Sequence, residues 1–238
     1  MTSIDDMLSR QIRRWELERA VHDPRRTDAR GALVEPVITV SRSHGAGGSD
    51  LAAKLAERFG YTLLHRDVID RICESSGYKR RLVAALDGHA RSQLKLWFES
   101  VLQGQYLDAS DYVKALLEVI YSISHLGGVV VVGRGANFIL GPDRGFHLRV
   151  VAPVPVRVTT IMARFHCSER EALHRIEQSD HERADFVRKV YGRAIDDPLG
   201  YDLVLNEISI SMDAATTLVA AAAQAKFERL RQRMAVSR

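Results

Sequence analysis

Val37-Ile-Thr-Val-Ser-Arg-Ser-His-Gly-Ala-Gly-Gly-Ser-Asp-Leu51 is the stretch on which the reading of this chain turns. Val37–Val40 is a short continuous apolar run, the pattern of a strand buried on both faces. A glycine-rich turn, Gly45-Ala46-Gly47-Gly48, follows it, and Ser49 then opens a helix whose apolar positions are Leu51, Ala52, Leu55, Ala56 and Phe59, ending at Gly60. Glycines let backbone amides turn inward around an anion, and a new helix points the positive end of its dipole at the same place. Laid on the pattern G-x-x-x-x-G-K-[ST], Gly47 takes the second glycine and Ser49 the hydroxyl that would meet magnesium. Two positions depart from it: Arg42 stands at the first glycine and Gly48 at the lysine. A turn that merely packs a helix on a strand is the alternative.

Working outward, further strand-like runs lie at 62–64, 129–132, 148–151 and 203–205, with helical spacing at 156–165, 168–190 and 214–234. Strands alternating with helices predict a parallel α/β sheet with right-handed crossovers. Residues 67–126 read as several helices, broken near Gly77, Gly88 and Gly104. Residues 1–33 form an appendage: a helix from Ser3 or Asp5 to about Ala20, then a polar linker through Asp23-Pro24 to Gly31. That helix packs on the main domain, residues 34–238, or on a second copy of the chain; a homodimer is left open.

Composition bounds the function. The 238 residues are 46% hydrophobic and 27% charged, the balance of a soluble globular domain. No apolar run approaches the roughly 20 residues of a membrane helix. The start carries acids where a signal peptide would be basic, so the expectation is a cytoplasmic protein without membrane partners. Two cysteines, Cys73 and Cys167, provide neither a disulfide framework nor a four-cysteine zinc site. His174 and His181 share a helical face, but the convergent third and fourth ligands of a zinc site are missing. The net charge is +4, with arginine, whose fork matches phosphate, dominating. No helix-turn-helix, zinc-finger or aromatic-stacking pattern accompanies that charge, which disfavours nucleic acid and favours small phosphorylated molecules.

Two other segments carry chemistry. Val129-Val-Val-Val-Gly-Arg-Gly135 is a buried strand that delivers Arg134 at its carboxyl end, where an open parallel sheet forms its ligand crevice. Arg134 faces an anion there, or pairs with Asp143 or Glu35. Ser179–Gly192 crowds Asp180, Arg183, Arg188 and Lys189 onto one helix. It reads as a solvated charged helix, or as a lid that carries arginines over a phosphoryl group.

Taken together, Ser41–Ala52, Gly60–Ile69, Val132–Leu140, Asp180–Phe186 and Tyr201–Asn206 resemble the motifs of the cytidylate kinase-like family, in order, over about residues 37–225. The resemblance implies a P-loop nucleoside monophosphate kinase-like three-layer fold. Its five-stranded parallel sheet has the order 2-3-1-4-5, with a helical acceptor region over about 70–127 and a lid over about 166–197. It implies an ATP-dependent phosphotransferase that moves a γ-phosphoryl group onto a nucleotide or nucleotide-like acceptor, with Mg2+ entering with ATP. Arg42, His44, Gly45, Ala46, Gly47, Gly48 and Ser49 would hold the donor phosphates, Ser49 beside the magnesium. Asp67, Arg71 and Arg134 would serve the acceptor, while Asp180, Arg183 and Arg188 would act from the lid. Three departures bear on activity: Gly48 for lysine, Arg42 for glycine, and His65 where authentic cytidylate kinases carry an aspartate. The alternative is a nucleotide-binding regulatory protein with the same fold and weakened catalysis. Neither the acceptor nor the purpose of the N-terminal helix is legible.

Overall fold

The computed structural model describes residues 4–21, 36–86, 110–206 and 210–236, with positions 88, 90–92 and 94–96. Five strands, β1 (Ile38–Arg42), β2 (Thr62–Leu64), β3 (Val129–Val132), β4 (Phe146–Val151) and β5 (Leu203–Asn206), form one parallel sheet of order β2-β3-β1-β4-β5. The expected strands and their order are those observed, each boundary within two residues.

The valines of β3 show why these runs are continuously apolar. Val129 and Val131 join one half of the core, Val130 and Val132 the other, and all four are fully buried. A strand has period two, so a sheet covered on both faces asks for apolar side chains at every position. One face is covered by α2 (Gly48–Phe59) and α9 (Met212–Val236), the other by α1 (Ile4–Val21), α3 (Arg66–Glu74) and α5 (Asp111–Leu126). α4 (Ser76–Ala84) extends the second layer.

The N-terminal helix belongs to that second layer. Leu8, Ile12 and Trp15, at spacings of four and three, are buried against the main domain. The Trp15 indole N–H donates to the Gly127 carbonyl at 3.2 Å. The Thr62 hydroxyl on β2 donates to the Gln11 side chain. The linker expected before Gly31, and the break expected at Gly104, lie outside the described residues.

Within the helical stretch 67–126 one boundary moves. The first break falls at Ser75, whose hydroxyl accepts the Tyr78 amide, while Gly77 sits inside α4. A hydroxyl cap satisfies an orphan amide, which makes it a stronger helix boundary than a glycine that the helix can absorb.

Three further helices frame the site: α6 (Ala136–Leu140), α7 (Val154–Phe165) and α8 (Glu169–Tyr191). The α8 helix starts on a capping box in which Ser168 and Glu171 satisfy each other's amides. It then runs back across the glycine-rich turn. No described helix is long and apolar enough to cross a membrane.

Candidate functional site: an arginine-lined crevice at the glycine-rich turn

β1 lies between β3 and β4, so its carboxyl end meets theirs, and the turn 43–47 emerges from that junction. Gly45 (φ 82°) and Gly47 (φ 68°) take left-handed conformations that side chains other than glycine rarely adopt. Gly45 also has no room for a Cβ, which would stand 2.9 Å from the Arg157 carbonyl oxygen. The turn is thereby pressed onto α7, and Ala46 packs into the core.

The α8 helix is docked on this turn. The Asp180 carboxylate accepts the His44 amide at 2.8 Å and pairs with the Arg157 guanidinium at 2.5 Å. Arg157, 8% exposed, also donates to the His44 carbonyl at 3.4 Å. Asp180 thus ties α7, α8 and the turn together. Arg183, one helical turn on, lies 3.7 Å from Asp180 and donates to the Arg42 carbonyl at 3.0 Å. The His44 ring lies 6.4 Å from Phe165, and its burial pushes its pKa down.

Arginines gather around Arg42, although Glu182 shares the lining of one adjoining cavity and Asp180 and Asp196 that of the other. The Arg42 pKa is pushed down to about 10 by burial first, then by Arg183 and Arg66. Arg183 is lowered too, by burial and by the proximity of Arg66 and Arg149. Arg149, on β4, is 8% exposed and donates to the Ser41 hydroxyl at 3.0 Å. Neither Arg42 nor Arg149 has a carboxylate within salt-bridge distance among the described residues. Guanidinium groups held together without counter-ions are costly to desolvate and bind anions strongly.

Two cavities flank the Arg42–Arg183 pair, and both residues line each of them. One, of about 280 Å³, also reaches Arg66, Arg134, Phe138 and Phe186. The other, of about 520 Å³, reaches Ser43, Arg149, Arg188 and Arg193.

Arg134 occupies the wall of the smaller cavity in an unusual backbone state. Gly133, Arg134 and Gly135 all have positive φ, 88°, 55° and 63°. The Tyr191 hydroxyl donates to the Arg134 carbonyl at 2.6 Å, and a Cβ at Gly135 would overlap the Tyr191 ring. The guanidinium pairs with Asp70 and lies 5.4 Å from the rings of both Tyr112 and Phe186. Asp70 also accepts the Tyr112 hydroxyl at 2.7 Å. Asp143 does not hold Arg134 but pairs with Arg233 at 2.8 Å, and Glu35, the other expected partner, lies outside the described residues.

The structure does not bring the other expected acceptor residues into this group. Arg71 is half exposed and holds Asp5 of α1 at 3.2 Å. A partner on α1 draws it away from both cavities, and a sequence read without its tertiary contacts contains no sign of that. The Asp67 carboxylate is largely exposed beside Arg66. Arg188 pairs with Asp185 at the rim of the larger cavity. Conversely, Asp70, Arg149 and Arg157 went unread. The available signal was an arginine inside the apolar strand Phe146–Val151, and another one turn into a helix after Pro153.

Among the described residues no three His, Cys, Asp or Glu side chains gather to hold a metal. Ser49 accepts the Arg42 Nε at 3.4 Å. It offers one neutral oxygen, enough to touch an ion that arrives with its own phosphate ligands but too little to hold one alone.

A parallel sheet of this order, with a glycine-rich turn and converging arginines at its carboxyl edge, defines a P-loop, nucleotide-kinase-like α/β protein. The sequence matches the model of the cytidylate kinase-like family over residues 37–208, and the chain belongs to that family. No curated protein sequence matches it. Among solved structures, an uncharacterized protein from Eubacterium ventriosum ATCC 27560 is similar, with a TM-score of 0.56 and 18% identity over 80% of this chain and 99% of the other. A protein from Thermus thermophilus has a TM-score of 0.41 and 21% identity, covering 80% of this chain and 97% of its own. Shikimate kinase from Bacteroides thetaiotaomicron has a TM-score of 0.41 and 12% identity, covering 78% and 97%. At these identities the likeness concerns fold alone, and the first of the three carries it.

Proposed function

We infer that the protein is a phosphotransferase that moves the terminal phosphoryl group of Mg·ATP onto a small phosphorylated acceptor. One observation carries the reading: Arg42, with no carboxylate within salt-bridge distance among the described residues, and Arg183, 3.7 Å from Asp180 and bonded to the Arg42 carbonyl, both line the two cavities. A group in transfer passes between two ligands and gathers negative charge on its equatorial oxygens, so cations are most effective where the two cavities meet. The larger cavity beside Ser43 suits the donor. The smaller, with Arg66 and Arg134, suits the acceptor.

In this reading the amides of Gly45–Ser49 and the start of α2 receive the donor phosphates, and Ser49 touches the magnesium that enters with ATP. Arg134, clamped by Asp70 and two aromatic rings, is pre-oriented toward the acceptor phosphate. Arg183, from the lid, stabilises the group in flight. No covalent intermediate is required. The test is a panel of nucleoside monophosphates with ATP and magnesium, followed by ADP release. Turnover with at least one acceptor supports the reading, and none with any acceptor refutes it.

A second reading, a nucleotide-binding regulator, is favoured by one feature. The Asp180 carboxylate sits on the His44 amide, where an anionic ligand would compete with it. ATP binding without turnover across the same panel selects this reading.

A further inference from the structure

We propose that Arg42 is the cation of the phosphate loop, exchanged as a pair with position 48, where the standard pattern carries a lysine. The assignment rests on the phosphate-binding reading of the turn given above.

The argument is steric first. Gly48 opens α2 directly beneath the Arg42 side chain. A Cβ at position 48 would lie 2.6 Å from Arg42 Cβ and 3.0 Å from Val150 Cβ. Interior atoms at van der Waals contact stand well beyond such distances, and the Val150 contact belongs to a β-branched residue of a central strand that cannot withdraw. A lysine therefore has no place at 48 while an arginine stands at 42. The converse also holds, because the space a loop lysine would use is filled by the stem of Arg42. Two departures from the pattern have one cause.

The charge follows the stem. Arg42 Nε donates to Ser49 Oγ at 3.4 Å, and its Nη1 reaches the end of β3, 3.0 Å from where a Gly133 Cβ would be. The group thus spans the start of α2 and the neighbouring strand end, and it lines both cavities. A lysine offers a single charged nitrogen, whereas a guanidinium can hold Ser49 with Nε and still present two Nη nitrogens to phosphate oxygens. Burial and two neighbouring arginines lower its pKa only to about 10, so it stays charged at neutral pH.

The rival cations are less well placed. Arg183 is engaged with Asp180 and arrives from the lid, so its position depends on that helix. Arg188 is exposed and paired with Asp185. Arg42 sits on the sheet and is positioned whatever the lid does.

The experiment is calorimetric binding of Mg·ATP and, separately, of inorganic tripolyphosphate to the full-length protein, with thermal melts to verify folding. The variants are Arg42→Ala, Arg42→Met, Gly48→Lys and the double variant R42G/G48K. Arg42→Met keeps the apolar stem over Gly48 if Arg42→Ala fails to fold. Loss of the guanidinium should weaken both ligands about 10- to 100-fold, the scale of charge-assisted hydrogen bonds. Gly48→Lys alone should lower both the melting temperature and the affinity. R42G/G48K should regain binding beyond either Arg42 variant. Wild-type affinity in Arg42→Ala or Arg42→Met overturns the assignment, and a double variant no better than Arg42→Ala overturns the exchange. Failure of the wild-type protein to bind either ligand instead overturns the phosphate-binding reading itself, and the assignment with it.

Discussion

Arg183 sits 25% exposed, hydrogen-bonded to a backbone carbonyl and repelled by its arginine neighbours. A side chain held there without a close, geometrically good carboxylate contact stores interaction energy that a developing charge can release. If it acts in transfer, Arg183→Ala should lower turnover roughly 10³-fold, while ATP affinity in the ground state changes far less. Steady-state kinetics beside calorimetry separate the two quantities. Equal losses in both would assign Arg183 to ground-state binding instead. The same scale explains why Arg71, expected in the crevice, is held by Asp5 instead. An arginine at helical register 71 looks equivalent to one in the crevice until Asp5, 66 positions earlier in the chain, is folded against it.

Among elements, the relation of α8 to the glycine-rich turn matters most. Nothing covalent holds them; Asp180 does, through the His44 amide and the Arg157 guanidinium. Arg157 is nearly buried and its Nε already lacks a partner among the described residues, so loss of the carboxylate charge strands a cation. Because the Asp180 side chain is about one-third exposed, water relieves part of that penalty. Asp180→Asn should therefore cost about 2 kcal/mol, below the 3–5 kcal/mol of a fully buried pair. Denaturant melts read the cost. Hydrogen exchange should show α8 amides opening faster while those of α2 are unchanged. Uniform acceleration across both helices would mean that the contact stabilises the whole domain rather than α8 alone.

At the scale of the whole molecule, two features set stability. The N-terminal helix contributes Leu8, Ile12 and Trp15 to the core, with Trp15 4% exposed and bonded to Gly127. Trp15→Ala should cost about 3–5 kcal/mol, read as a lower denaturation midpoint, because a cavity opens between α1 and the sheet. A change under 1 kcal/mol would show α1 to be a loosely held appendage.

The second feature is His147 on β4, directly opposite Thr39 on β1. Its Nε2 donates to the Gly141 carbonyl at 2.7 Å, so Nδ1 is the acceptor for the Thr39 hydroxyl at 2.8 Å. Burial lowers its pKa to about 4 against an ordinary 6.5. Between those values the unfolded chain binds a proton that the folded one refuses. Stability is therefore full above about pH 6.5 and falls as pH drops toward 4, by about 3 kcal/mol. His44 and His65, also lowered by burial, act in the same direction. Denaturant midpoints at pH 7.5, 5.5 and 4.5 measure the slope, and His147→Gln should flatten it. A wild-type protein equally stable at pH 4.5 and 7.5 would contradict a neutral buried imidazole.

The five strands and their parallel arrangement were legible in the chain alone, because a sheet covered on both faces writes itself as unbroken runs such as Val129–Val132. The 2-3-1-4-5 order came from the family resemblance rather than from periodicity. The glycine-rich turn was legible for an equally local reason: backbone at φ 82° and 68° demands glycine wherever it occurs. The long-range partners of the arginines were not legible, unlike the helical pair Asp180 and Arg183. Arg134 meets Asp70 across 64 positions, Arg157 meets the His44 carbonyl across 113, and Arg183 meets the Arg42 carbonyl across 141. Charge pairing depends on distance in space, which periodicity does not encode, so only the folded structure decides which arginines are neutralised and which stay open to a phosphate. It also decides the meaning of Gly48. In the sequence that residue is a missing lysine; in the fold it is the space that lets Arg42 pass.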